Sequence, residues 1–253
     1  MKLTLWPLAT LLLALAASGC ARPLALHWYR DSAEQNAIYA QTYHLAKQEL
    51  NRLLQEKKPP RPWAVILDAD ETVLDNSDYQ WQRRHLPEPF TEASWADWVK
   101  RKQARLLPGA AAFINNAQYL GGWVVIITNR SQAQCADTLE NLRTEGVAPN
   151  ALICRPENAS SSKQSRFDAV ADGSAFGLTA PDRGFRNVQV LLYIGDNIQD
   201  FPGGSQGLRQ QAEPAFADFG KRFFLLPNPM YGSWEDNPPR AAGQPARQRA
   251  TGQ

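Results

Sequence analysis

The sequence predicts an α/β fold, a parallel sheet with helices on both faces and a small, mainly helical cap. Three observations carry this. Short apolar runs recur and each ends in polar residues: AVILDAD at 64–70, VVIITNR at 124–130 and VLLYIGDN at 190–197. Between them, Gly109 to Leu120 and Ser131 to Glu145 show the three- and four-residue spacing of helices. Finally, the connection after the first run is far longer than a strand-to-helix link needs.

The chain has 253 residues, 43% of them hydrophobic, enough for one sizeable core in one domain. A formal net charge of +2 gives no field that would select a nucleic acid polymer or a membrane surface. The first twenty residues, MKLTLWPLATLLLALAASGC, join a basic residue to an apolar run and then to small residues. That pattern predicts a signal peptide over 1–19, too short and wrongly flanked to span a bilayer. Ala17-Ser18-Gly19-Cys20 resembles a bacterial lipobox, in which Cys20 becomes the lipidated N-terminus. Ala21 after the cysteine resembles lipoproteins sorted to the outer membrane of the cell envelope. Several acyl chains, each gaining about 0.8 kcal/mol per buried methylene, would anchor the protein by that end. An exported compartment permits a disulfide between Cys135 and Cys154, but the expectation from sequence is two buried thiols.

Residues 20–31 read as the lipidated N-terminus and a tether. Ser32-Ala-Glu-Gln35 fits a capping box that opens a helix. Tyr39, Tyr43, Ala46, Leu50, Leu53 and Leu54 then mark one apolar face, to about Gln55. Lys57-Lys58-Pro59-Pro60-Arg61-Pro62 follows as a stiff linker. The three apolar runs are β-branched-rich and unbroken, as strands buried on both faces should be. Leu152-Ile153 and Phe223 to Leu226 predict two more strands. The stretch 77–107, with Tyr79, Trp81, Phe90, Trp95 and Trp98, reads as the cap. The main body spans 32–235, and 236–253 is Pro-, Gly- and Arg-rich and reads as disordered.

In a parallel sheet, ligands bind outside the carboxyl ends of the strands, so the polar ends of the runs should meet in one crevice. Asp68 and Asp70, two apart on an extended strand, point to the same side. Asp196 and Asp200 join them from the third run. Two close carboxylates destabilise each other unless a proton or a cation intervenes. An oxygen-only set suits Mg2+ better than zinc, because no His or Cys accompanies these residues. Thr128-Asn129-Arg130 supplies a hydroxyl and backbone N–H groups, and Lys163 supplies a cation ahead of a helix. Hydroxyl, amides, ammonium and metal together make a phosphate site.

Asp68-Ala69-Asp70-Glu71-Thr72, Thr128, Lys163 and Gly195-Asp196-Asn197-Ile198-Gln199-Asp200 resemble, in order and strand placement, the four motifs of the haloacid dehalogenase superfamily. With the lipobox, the leading helix and Leu226-Pro227-Asn228-Pro229-Met230-Tyr231-Gly232-Ser233-Trp234-Glu235, the chain resembles the bacterial class C acid phosphatases, outer-membrane lipoprotein 5′-nucleotidases. The resemblance implies a haloacid dehalogenase-like Rossmannoid fold and a phosphatase domain over 32–235. It implies a magnesium-dependent phosphatase acting on nucleoside monophosphates and other small phosphomonoesters, with a homodimer as a possible assembly. By it, Asp68 is nucleophile and Asp70 acid/base; Thr128, Asn129 and Lys163 hold the phosphoryl oxygens. Asp68, the backbone carbonyl of Asp70, and Asp196 bind the metal, and Asp200 steadies its waters or Lys163. Trp95 and Tyr231 match positions that stack a nucleobase, and Arg166 reads as a surface charge. A dehalogenase needs no Asp70, and a phosphomutase needs no leader. The reading from a different class is a non-catalytic surface lipoprotein that binds a ligand or a host component, which needs no nucleophile.

Overall fold

The computed structural model describes residues 21–57, 59, 62–174 and 188–239. The expected signal peptide, Cys20, three residues of the linker and the tail from 240 lie outside the described residues. Residues 21–31 are not a tether. They form helix α1 (Ala21–Asp31), because Leu26 and Tyr29 bury and Arg30 pairs with Asp78 at 2.6 Å while lying over Trp81. Ser32 then caps α2 (Ala33–Lys57), its Oγ accepting the Gln35 N–H at 3.1 Å.

Strand β1 (Trp63–Leu67) is buried along its whole length. The chain next makes β2 (Leu74–Asp75), α3 (Ser77–Arg83), α4 (Glu92–Arg101) and β3 (Arg105–Leu106). β2 and β3 pair antiparallel, so α3 and α4 rise from one closed base. Then follow α5 (Ala110–Tyr119), β4 (Trp123–Ser131), α6 (Cys135–Thr144), β5 (Ala151–Arg155), α7 (Gln164–Asp172), β6 (Gln189–Gly195) and β7 (Phe223–Leu225).

Five strands form one sheet in the order β5-β4-β1-β6-β7, and every neighbouring pair is parallel. The expected α/β class is therefore borne out. Alternate residues of β1 serve opposite faces. Val65 and Leu67 pack with Tyr39, Tyr43 and Leu50 of α2 and with Phe113 and Ile114 of α5. Ala64 and Ile66 pack with Phe167 and Val170 of α7, and with Phe201 and Phe223. Leu67 is level with Ile126 of β4 and Ile194 of β6, so the three polar tails leave the sheet at one height.

Cys135 and Cys154 are joined as a disulfide rather than left as two thiols. Packing of the first turn of α6 on β5 brings their Cα atoms to 5.9 Å, within disulfide reach, a proximity no sequence pattern reveals. The bridge closes a loop with a sequence separation of 19. By loop-closure entropy, removing it in a Cys135→Ser, Cys154→Ser double variant should cost about 3 kcal/mol. Calorimetric melting should then fall by roughly 6–12 °C; an unchanged melting temperature would show that the bridge does not constrain the unfolded chain.

Candidate active site

The site lies where β1, β4 and β6 end. Asp68 follows β1 directly, and its N–H donates to the Ile194 carbonyl at 3.0 Å, which ties it to β6. The chain then tightens: the Val73 and Leu74 N–H groups both return to the Ala69 carbonyl, at 2.9 and 2.8 Å. Glu71 takes the left-handed region, φ 51°, costly for a non-glycine residue unless its surroundings hold it. They do: Glu71 Oε1 accepts the Asn76 N–H at 2.8 Å, and Oε2 accepts the Tyr231 hydroxyl. From behind, the Tyr39 and Tyr43 hydroxyls of α2 donate to the Glu71 and Thr72 carbonyls at 2.6 and 2.8 Å.

One oxygen from each of Asp68, Asp196 and Asp200 lies within 4.8 Å of the others. Lys163, at the start of α7, binds Asp68 Oδ1 and donates to Asp200 Oδ1 at 2.6 Å. Asp200 also accepts the Asn197 N–H at 2.8 Å. Gly195 allows this fold-back, since a Cβ there would overlap the Asp200 carboxylate. Burial, then the neighbouring Asp200 and Asp70, push the Asp68 carboxyl up to about 7 despite Lys163. Asp196 is pushed well up by burial and by Asp200 and Asp68. Burial works against the Lys163 ammonium, but Asp200 and Asp68 more than offset it and raise it. One ammonium facing three carboxylates leaves a deficit of positive charge, and the donors are all oxygen. That set fits a hard divalent cation such as Mg2+.

The Asp70 carboxylate stands apart from this trio. Arg130, fully buried at the end of β4, grips Asp70 Oδ1 with Nε at 2.9 Å and Nη2 at 2.7 Å. Asn76 Nδ2 adds a third bond to the same oxygen at 2.9 Å. Oδ2 has only longer contacts, 3.3 Å to Arg130 Nε and 3.4 Å to Thr128 Oγ1. It is the freer oxygen, on a side chain that opens to the pocket. Arg130 is fixed in turn by Thr138 Oγ1 and Asn76 Oδ1, both at 3.1 Å, and lies over the Trp95 ring. Trp98, buried in α4, donates Nε1 to Asn76 Oδ1 at 2.8 Å, so the cap reaches the same network.

A cavity of about 490 Å³ opens over these groups. Asp68, Asp70, Asn129, Lys163, Asp196 and Asp200 line it together with Trp95 and Tyr231. Leu26 of α1 and Phe90 of the cap add apolar surface. The structure thus brings these eight expected residues to one cavity. Thr128 is fully buried and absent from its lining; its hydroxyl accepts the Arg130 N–H at 3.1 Å and faces Asp70. Arg166 is not a surface charge. It is buried because Nη1 donates to the Thr128 carbonyl and Nη2 to Asn129 Oδ1, each at 2.6 Å. Cys20 lies outside the described residues. The side-chain roles of Arg130, Asn76, Glu71 and the two tyrosine hydroxyls were not anticipated; a charged residue directly after Thr128-Asn129, at the end of a buried run, was the one available signal.

The chain is similar to the class C acid phosphatase from Bacillus anthracis, with TM-score 0.71 and 29% identity, covering 85% of this chain and 86% of that one. It is similar also to that phosphatase with tungstate bound, with TM-score 0.70, 28% identity and the same coverage, 85% and 86%. Acid phosphatase 1 of Solanum lycopersicum is 28% identical over 172 residues, 66% of this chain and 57% of that protein. The stem 31 kDa glycoprotein of Glycine max is 28% identical over 167 residues, 66% of this chain and 58% of that protein. The chain therefore spans less than two thirds of the length of these curated relatives. The family model for HAD superfamily, subfamily IIIB (acid phosphatase), matches residues 12–234, nearly the whole of the described fold, and the chain belongs to that family.

Proposed function

We propose that the protein is a magnesium-dependent acid phosphatase that hydrolyses nucleoside 5′-monophosphates and other small phosphomonoesters through an aspartyl-phosphate. The observation that carries the reading is the lining of one cavity, in which Asp68 and Asp70 share the walls with the rings of Trp95 and Tyr231. A phosphoryl group held at the carboxylates and Lys163 leaves its flat organic part to those rings, where stacking contributes about 1–3 kcal/mol per base. The Bacillus anthracis relative binds tungstate, a tetrahedral oxyanion like phosphate, which supports a phosphoryl substrate.

In the first half-reaction Asp68 attacks phosphorus, the bond to the leaving oxygen breaks, and Asp70 Oδ2 gives that oxygen its proton. In the second, Asp70 Oδ2 takes a proton from water, the water oxygen bonds phosphorus, and the bond to Asp68 breaks. Lys163 and the backbone N–H groups near Asn129 hold the phosphoryl oxygens, while Arg130 and Asn76 keep Asp70 Oδ1 occupied. Asp68, Asp196 and the Asp70 carbonyl would hold Mg2+, with Asp200 beside them, and the ion would supply charge neutralisation for the transferring group.

The leader, the lipobox and Cys20 support export and anchoring by N-terminal acyl chains in the outer membrane, where such an enzyme meets phosphomonoesters outside the cytoplasm. Among the described residues, no helix is long and apolar enough to cross a membrane.

The testing experiment is phosphate release from 5′-nucleotides and aryl phosphates, with Mg2+ and with chelator. Release is expected to require Mg2+ and to favour nucleotides. Equal turnover of aryl phosphates would remove the nucleotide preference and keep the chemistry. No release by folded protein would favour the ligand-binding lipoprotein.

A further inference from the structure

Asp196 leaves the end of β6 and reaches the pocket beside Asp68 and Asp200. A carboxylate there can turn about its side-chain bonds, so its outer hydrogen bonds decide which way it faces. Asn228 Nδ2 donates to Asp196 Oδ2 at 2.8 Å. The contact from Thr72 Oγ1 to Oδ1 is longer, 3.3 Å. The other end of the Asn228 amide is also occupied. Its Oδ1 accepts the Met230 N–H at 3.0 Å and the Tyr231 N–H at 3.4 Å. Closing that turn needs only an oxygen, and Asp or Ser could supply one. Closing the turn while donating to an ionised carboxylate needs an amide. The same segment is pinned again where the Tyr231 hydroxyl donates to Glu71.

We infer that Asn228 is a positioning residue of the metal centre, holding the Asp196 carboxylate in its cation-binding orientation from the segment that carries Tyr231. The inference rests on the metal-dependent reading above. Hydrogen-bond partners behind metal ligands typically govern 10–100-fold in affinity.

The test is calorimetric titration of Mg2+ into the mature chain, without substrate, for the parent, Asn228→Ala and Asn228→Ser. Serine keeps an oxygen that can close the turn but is too short to reach Asp196. Both variants should bind Mg2+ about 10–100-fold more weakly than the parent. In the serine variant the melting temperature should stay close to the parental value. Unchanged Mg2+ affinity in the serine variant, or a loss confined to the alanine variant together with its melting temperature, would reduce Asn228 to a turn residue. A parent chain that binds no Mg2+ would overturn the metal reading itself and this inference with it, a result distinct from parent and variants binding alike.

Discussion

Asp68→Asn is expected to abolish phosphate release, by at least about 10⁴-fold in kcat, while leaving the protein folded. The amide keeps the shape of the side chain but cannot attack phosphorus, so no step remains through which the ester bond can exchange. Little structural damage should follow, because the charge removed is one that the site tolerates poorly. Burial and the nearby Asp200 and Asp70 hold the Asp68 carboxyl up at about 7 in the folded protein. Without Mg2+, the folded state then binds more protons here than the unfolded state between about pH 4 and 7. Stability should fall as pH rises through that window, and the Asn variant escapes this contribution. Lys163 keeps Asp200 as a partner in the variant. Two measurements decide: phosphate release under single-turnover conditions, and melting of both proteins at pH 5 and pH 8 without Mg2+. Full activity in the variant would refute Asp68 as the nucleophile. A collapse of the melting temperature at both pH values would mean that the carboxylate holds the fold together.

Much of the fold was legible because β1, β4 and β6 are buried on both faces. A short, unbroken, β-branched apolar run belongs in the middle of a covered sheet, and a carboxylate pair at its end marks the edge where ligands bind. The residues that hold the site were less legible, for physical reasons. Tyr39 and Tyr43 satisfy helical periodicity with their rings, and nothing in the pattern says that their hydroxyls reach the Glu71 and Thr72 carbonyls. Arg166 resembles a solvated charge until the fold sets the Thr128 carbonyl and Asn129 against it. The α1 segment is short and carries Pro23 near its start, so it does not announce a helix, and Leu26 and Tyr29 are buried only because the body of the protein is there to receive them. The disulfide depends on distance in space and not on spacing along the chain. Periodicity reports which face is buried; it does not report what a buried polar atom touches.

Arg130→Met should lower kcat/KM, which reports the first half-reaction, for nucleotides by roughly 10²–10³-fold and leave that for aryl phosphates with good leaving groups within about tenfold. The difference follows from what Arg130 holds. Its fork fixes Asp70 Oδ1, so the freer Oδ2 is aimed at the leaving oxygen. A sugar alkoxide cannot depart without a proton, whereas a nitrophenolate can, so in kcat/KM the loss of aim costs only the nucleotides, while the second half-reaction, which needs the same base, slows alike for both. A merely structural role for Arg130 would lower both classes equally. Stability should fall as well, by about 3 kcal/mol, the lower end for breaking a buried pair, because the abandoned Asp70 still opens on the pocket. Arg130→Lys keeps the charge but not the fork, and it should fall between the parent and the Met variant for nucleotides. The dependence of kcat/KM on leaving-group basicity, compared across the three proteins, separates aim from stability: a steeper slope in the Met variant supports positioning of the acid by Arg130, and parallel lines with a uniform drop would leave Arg130 a role in packing alone.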